Sequence, residues 1–103
     1  MTESHLRTDQ TQHTIVVPTS INMVALLGPG DEHLRLIERG IRADIHVRGN
    51  QIRLRGDAAE VVLADRLIEE LVTILRTGQG LTSETVERAT LGGAVIVAAM
   101  GFA

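Results

Sequence analysis

The sequence predicts a two-layer α+β sandwich, ordered β-α-α-β-β-α, with one three-stranded sheet covered by helices on a single face. Three observations predict it. The stretch "ADIHVRGNQIRLRGD" alternates apolar and polar residues on either side of a Gly-Asn pair, as a hairpin with one buried and one wet face does. Val61, Ala64, Ile68, Leu71 and Leu75 recur at helical spacing, with Val62, Leu67 and Val72 widening the stripe. Between the first apolar run and the hairpin, "LLGPGDEHLRLIE" is interrupted by Gly28, Pro29 and Gly30, and a helical pattern resumes at once.

The elements follow in order. Residues 1–13 are polar and read as a disordered lead-in that includes His5 and His13. Ile15, Val16 and Val17 form a β-branched run closed by Pro18, the signature of a short strand. Ser20 is placed to cap a helix over Ile21 to Leu27 that stops at Gly28. Asp31 is placed to cap a second helix, Glu32 to Arg39, with Leu34 and Ile37 facing inward, His33 exposed and Gly40 ending it. In the hairpin, Ile45, Val47, Ile52 and Leu54 point to the core, while His46, Arg48, Gln51, Arg53 and Arg55 point to water. Asp57 then caps the longest helix, from about Ala58 to Thr77, which Gly78 and Gly80 end. Thr82 or Ser83 starts a short helix within 81–90, and an apolar tail occupies 91–103.

Composition narrows the chemistry. The chain has 103 residues, enough for one core, and a net charge of -3 that gives no global attraction to polyanions. Its only aromatic is Phe102, so the core is aliphatic and no aromatic platform for stacking bases is expected. There is no cysteine, which excludes disulfides and thiolate chemistry. The apolar tail falls short of the ~20 residues of a membrane span, so a cytoplasmic, membrane-free location is expected.

The interrupted stretch is not a nucleotide loop. A P-loop needs a lysine followed by Ser or Thr; here Asp31, Glu32 and His33 follow, and the chain contains no lysine. His33 and His46 lack metal-ligand spacing with Asp31 and Glu32, and Glu69 and Glu70 are helix neighbours that do not share a face. No metal site is expected. No nucleophile–base set is evident, so the chain reads as a non-enzyme.

From Leu26 to Val72 the order resembles the KH RNA-binding fold, in which a G-x-x-G loop joins the first two helices. The motif falls on Gly28-Pro29-Gly30-Asp31, with aspartate where the family carries its last glycine. More closely, "LLGPGDEHLRLIE", "DIHVRGNQIRLRGD", the helix Ala64 to Leu71 and "GQGLTSETV" resemble the N-terminal KH-like module of PhoH-like proteins. The resemblance spans Ile15 to Ala89, and it delimits a KH-like domain at 14–80.

It implies a single-stranded RNA-binding module, mainly electrostatic and weakly sequence-specific. Gly28, Pro29, Gly30 and Asp31 would offer backbone contacts, and Arg35, Arg48, Arg53 and Arg55 positive charge. In such relatives a P-loop ATPase domain follows; this chain is expected to lack it, as a truncated or standalone relative. ATP and magnesium are accordingly expected only in full-length members. Two simpler roles stand beside these. Gly28 and Gly30 serve equally as helix stops, and the hairpin arginines as a solvated sheet surface. The alternative function is a protein-interaction module that docks an ATPase domain or a second copy and binds no nucleic acid.

Overall fold

The computed structural model describes residues 10–90. The expected apolar tail at 91–103 and most of the expected lead-in lie outside them. Strand β1 (Gln10–Val16) leads through helix α1 (Met23–Leu27) and a single 3-10 turn (Pro29–Asp31) into helix α2 (Glu32–Gly40). Strands β2 (Ala43–Arg48) and β3 (Gln51–Asp57) and the long helix α3 (Ala58–Arg76) follow, and residues 83–90 form a further helix, α4.

The three strands make one antiparallel sheet in the order β1-β3-β2. Helices cover one face of it, giving the KH-like α+β sandwich. The hairpin forms because period-two alternation leaves one registration that buries every apolar residue, with Ile45 opposite Leu54 and Val47 opposite Ile52. Its two-residue turn, Gly49-Asn50, also anchors β1. Asn50 Nδ2 donates to the Val17 carbonyl at 2.9 Å, and the Val17 N–H donates to the Asn50 carbonyl at 2.8 Å.

The core is aliphatic throughout. Ile15, Val17, Ile45, Ile52 and Leu54 from the sheet side meet Val61, Ala64, Ile68 and Leu71 of α3, and Leu26, Ile37 and Val86 close the cluster. Ile52, Leu54 and Leu71 are essentially inaccessible, and burying such side chains stabilises by about 1.5–3 kcal/mol each. α4 lies on α2: Ser83 Oγ donates to Glu32 Oε1 at 2.5 Å, and a side chain at Gly40 would run into Thr90.

Several local expectations are corrected. β1 starts at Gln10, so Gln10 to His13 belong to the sheet rather than to a lead-in. Their strand is held by backbone pairing with Leu54 to Asp57, which needs no apolar side chain. α1 starts later than expected because Asn22, not Ser20, caps it; Asn22 Oδ1 accepts from the Val24 N–H at 2.9 Å. Asp57 and Asp31 occupy cap positions without a side-chain cap bond. Thr82, rather than Ser83, caps α4 by accepting from the Thr85 N–H at 3.1 Å. Val62 is exposed and Leu75 only partly buried, so the stripe on α3 is narrower than its sequence pattern.

Candidate nucleic-acid interface

The open face of the sheet is a three-by-three array whose rows follow from the strand register. One row is Gln12, Arg55 and Asp44; the next is Thr14, Arg53 and His46; the last is Val16, Gln51 and Arg48. All nine alternate with residues that face the helices, and all are exposed. Arg48, Arg53 and Arg55 line one shallow depression of about 390 Å³, together with His46. Among the described residues the ion pairs are His13–Asp65 and Glu84–Arg88, and neither involves a hairpin arginine. Asp44 sits opposite Arg55 in register without pairing with it.

The Gly28–Asp31 turn lies elsewhere, in the helical layer. Gly28 has φ 82, and a Cβ there would stand 2.7 Å from Cγ of His33. His33 is buried, at 3% exposure, and its Nδ1–H donates to the Leu26 carbonyl at 3.1 Å. The expectation of an exposed His33 is thus overturned. Its imidazole satisfies a carbonyl at the end of α1 that the helix itself leaves without a partner, and this bond holds α1 to α2. Gly30 and Asp31 follow with φ 61 and 60. Asp31 therefore takes the left-handed conformation suited to the glycine it replaces, which aspartate tolerates better than most residues. Pro29, Gly30 and Asp31 are exposed, as is Arg35 on α2.

The eight anticipated residues therefore form two groups. Gly28 to Asp31 and Arg35 sit in the helical layer, whereas Arg48, Arg53 and Arg55 gather on the opposite face of the sheet. His46, absent from the anticipated set, belongs with the second group. Its signal was the register itself, because a two-residue turn at Gly49-Asn50 places it across from Arg53.

A third cluster joins β1 to α3. His13 Nε2 stands 3.3 Å from Asp65 Oδ1, an atom sealed from solvent and lacking a hydrogen bond of good geometry. Glu69, one helical turn on, has its pKa raised above the usual carboxylate value. The cause is first its hydrogen bond to Asp65, then the like charge of that group and slight burial, against the opposing pull of His13. Among the described residues no group of three or more His, Asp or Glu side chains is arranged to hold a metal ion, and no helix is long and apolar enough to cross a membrane.

No family model matches the chain. Individual relatives do. It is 49% identical over 77 residues to a PhoH-like protein of Mycobacterium tuberculosis, an alignment covering 75% of this chain and 22% of that protein. The chain matches a small part of a larger PhoH-like protein. A PhoH-like protein of Mycobacterium leprae is 51% identical over 73 residues, covering 71% of this chain and 21% of the relative. The Bacillus subtilis PhoH-like protein is 32% identical over 63 residues, with 61% and 20% covered. Among solved structures, a protein of unknown function from Aeropyrum pernix superposes with a TM-score of 0.65 at 20% identity. That superposition covers 97% of this chain and 55% of the other. Dim2p from Pyrococcus horikoshii gives 0.60 at 19% identity, with 80% and 48% covered. These two likenesses concern the fold alone.

Proposed function

We propose that this PhoH-like segment is a single-stranded RNA-binding module, mainly electrostatic and weakly sequence-specific, acting in the cytoplasm. The observation that carries the reading is the open sheet face, where Arg48, Arg53 and Arg55 share one depression and, among the described residues, pair with no carboxylate. Guanidiniums so placed suit the phosphates and the base faces of a single strand, and strands fix the spacing of their backbone positions before binding. The turn at Gly28 to Asp31, with Arg35 beside it, belongs to the proposal as a secondary contact. Its exposed backbone is available, but Asp31 and Glu32 repel phosphate there. Binding of this kind needs no cofactor and involves no catalysis.

Fluorescence anisotropy of a labelled single-stranded RNA, titrated at low and moderate salt, tests it. Affinity should fall with salt and fall again in the Arg53→Glu/Arg55→Glu variant, with single-stranded DNA as a comparison. Absence of binding at low salt would end the proposal.

Docking to the remainder of a longer relative, or to a second copy, is favoured by one observation. Val62 and Leu63 are adjacent on α3 and 47% and 39% exposed. That reading expects concentration-dependent association in sedimentation and no RNA affinity.

A further inference from the structure

We propose that His46 and Arg53 form a stacking platform at the centre of the open sheet face. It takes the unpaired bases of a single RNA strand whose phosphates lie against Arg48 and Arg55. This inference rests on the RNA-binding reading and adds the feature that would select single strands over duplexes.

The register supplies the first argument. His46 on β2 is directly opposite Arg53 on β3. Side chains so placed across an antiparallel pair start about 4.5–5.5 Å apart at Cβ, close enough for an imidazole and a guanidinium to present one continuous planar surface. Arg48 and Arg55 then lie diagonally at either end, each one row away, or about 7 Å along its strand. Charge thus brackets a planar centre.

Availability supplies the second. His46 and Arg53 are exposed and line the same depression. Among the described residues neither side chain has a hydrogen bond or ion pair to hold its plane away from a ligand. The chain has no Trp or Tyr, so these are the planes this face can offer. Histidine rings and arginine planes both stack on unpaired bases. A duplex keeps its base faces inside its own stack and can meet only the charges.

Composition of the rim supplies the third. Gln12, Thr14 and Gln51 border the platform in the neighbouring positions of the array. Their amides and hydroxyl can donate to and accept from base edges without demanding one particular base. The expected outcome is a preference for single-strandedness with little sequence preference.

The test uses the full chain and three labelled probes: a single-stranded oligoadenylate, an abasic strand of equal length and an RNA duplex. Stacking expects oligoadenylate to bind more tightly than the abasic strand. His46→Ala should weaken oligoadenylate binding by about tenfold while leaving duplex and abasic binding unchanged. His46→Phe should restore most of the loss, whereas His46→Lys, a charge without a plane, should not. Unchanged oligoadenylate affinity in His46→Ala, or rescue by Lys and not by Phe, would overturn the platform. Arg53→Glu/Arg55→Glu separates the two failures. If that variant also binds like the parent, the RNA reading itself falls; if it loses binding while His46→Ala does not, only the platform falls.

Discussion

The glycine-rich turn and the hairpin face look, in the sequence, like two halves of one binding site, and the structure gives them opposite characters. At the turn, the chemistry is directed inward. Gly28 lies against a buried imidazole, His33 is bonded to the end of α1, and the first charged residues that follow, Asp31 and Glu32, are exposed and acidic. On the hairpin the backbone is regular and the chemistry is directed outward, with guanidiniums that find no ion-pair partner among the described residues. A glycine-rich loop between helices can thus be explained by its packing. Arginines gathered on two adjacent strands, without an ion pair among the described residues, have no such internal explanation.

Four variants would break or sharpen that contrast. Gly28→Ala should have the largest effect, because it meets both the positive φ and the His33 ring; a loss of about 3 kcal/mol in urea unfolding is expected. Folded Gly28→Ala should still bind RNA through the sheet face. If it unfolds no more readily than the parent, the packing explanation of the turn is wrong.

Arg53→Glu/Arg55→Glu should do the reverse, lowering RNA affinity by tenfold or more, about 1.4 kcal/mol, while shifting thermal stability little. Equal loss of stability and affinity would mean these side chains hold the fold.

Gly30→Ala should cost about 1 kcal/mol, because its φ of 61 is unfavourable but nothing lies within 4 Å of the added carbon. The difference between the Gly28 and Gly30 variants combines the His33 contact with the harsher backbone of Gly28, whose ψ of 163 lies outside the left-handed helical region that Gly30 occupies. Should the turn touch phosphate, Gly30→Ala would also reduce RNA affinity.

Glu69→Gln should have the smallest effect, and a pH-dependent one. With its folded pKa above the unfolded value, Glu69 binds its proton more tightly in the folded state. Its contribution is therefore favourable at acid pH and is lost as pH rises through the folded pKa. The variant should gain slightly in melting temperature at neutral pH and show a flatter dependence between acid and neutral. Because Glu69 is exposed, screening keeps the change small, and raised salt should shrink it further.

The parts of the fold that were legible are those governed by side-chain periodicity. The hairpin, its turn and the length of α3 follow from alternation and helical spacing, and from them the array of arginines. What escaped follows from backbone or polar contacts. Gln10 to Thr14 carries no apolar alternation, yet pairs along β3. Ser20 and Asn22 are equivalent as cap candidates, and the Pro18–Ile21 turn leaves Asn22 in position. By its type alone His33 reads as a surface residue. Its spacing with Ile37 and Ile41, four and eight residues on, placed it on the buried face, and all three are buried. For the site, the register that aligns Arg53 also aligns His46, whose place on the face follows from strand pairing and not from its charge.

The link between Asn50 and Val17 has a consequence for how the chain acquires its shape. β2 and β3 are joined by two residues, so they can meet with little loss of chain freedom, whereas β1 must reach β3 across both intervening helices. The hairpin is thus the natural nucleus and β1 the late arrival, secured by a clasp whose partners stand 33 residues apart in sequence. In pulse-labelling hydrogen exchange, the β2–β3 amides should gain protection ahead of the Val17 amide. If so, the arginine-bearing face is laid out before the sheet behind it is complete.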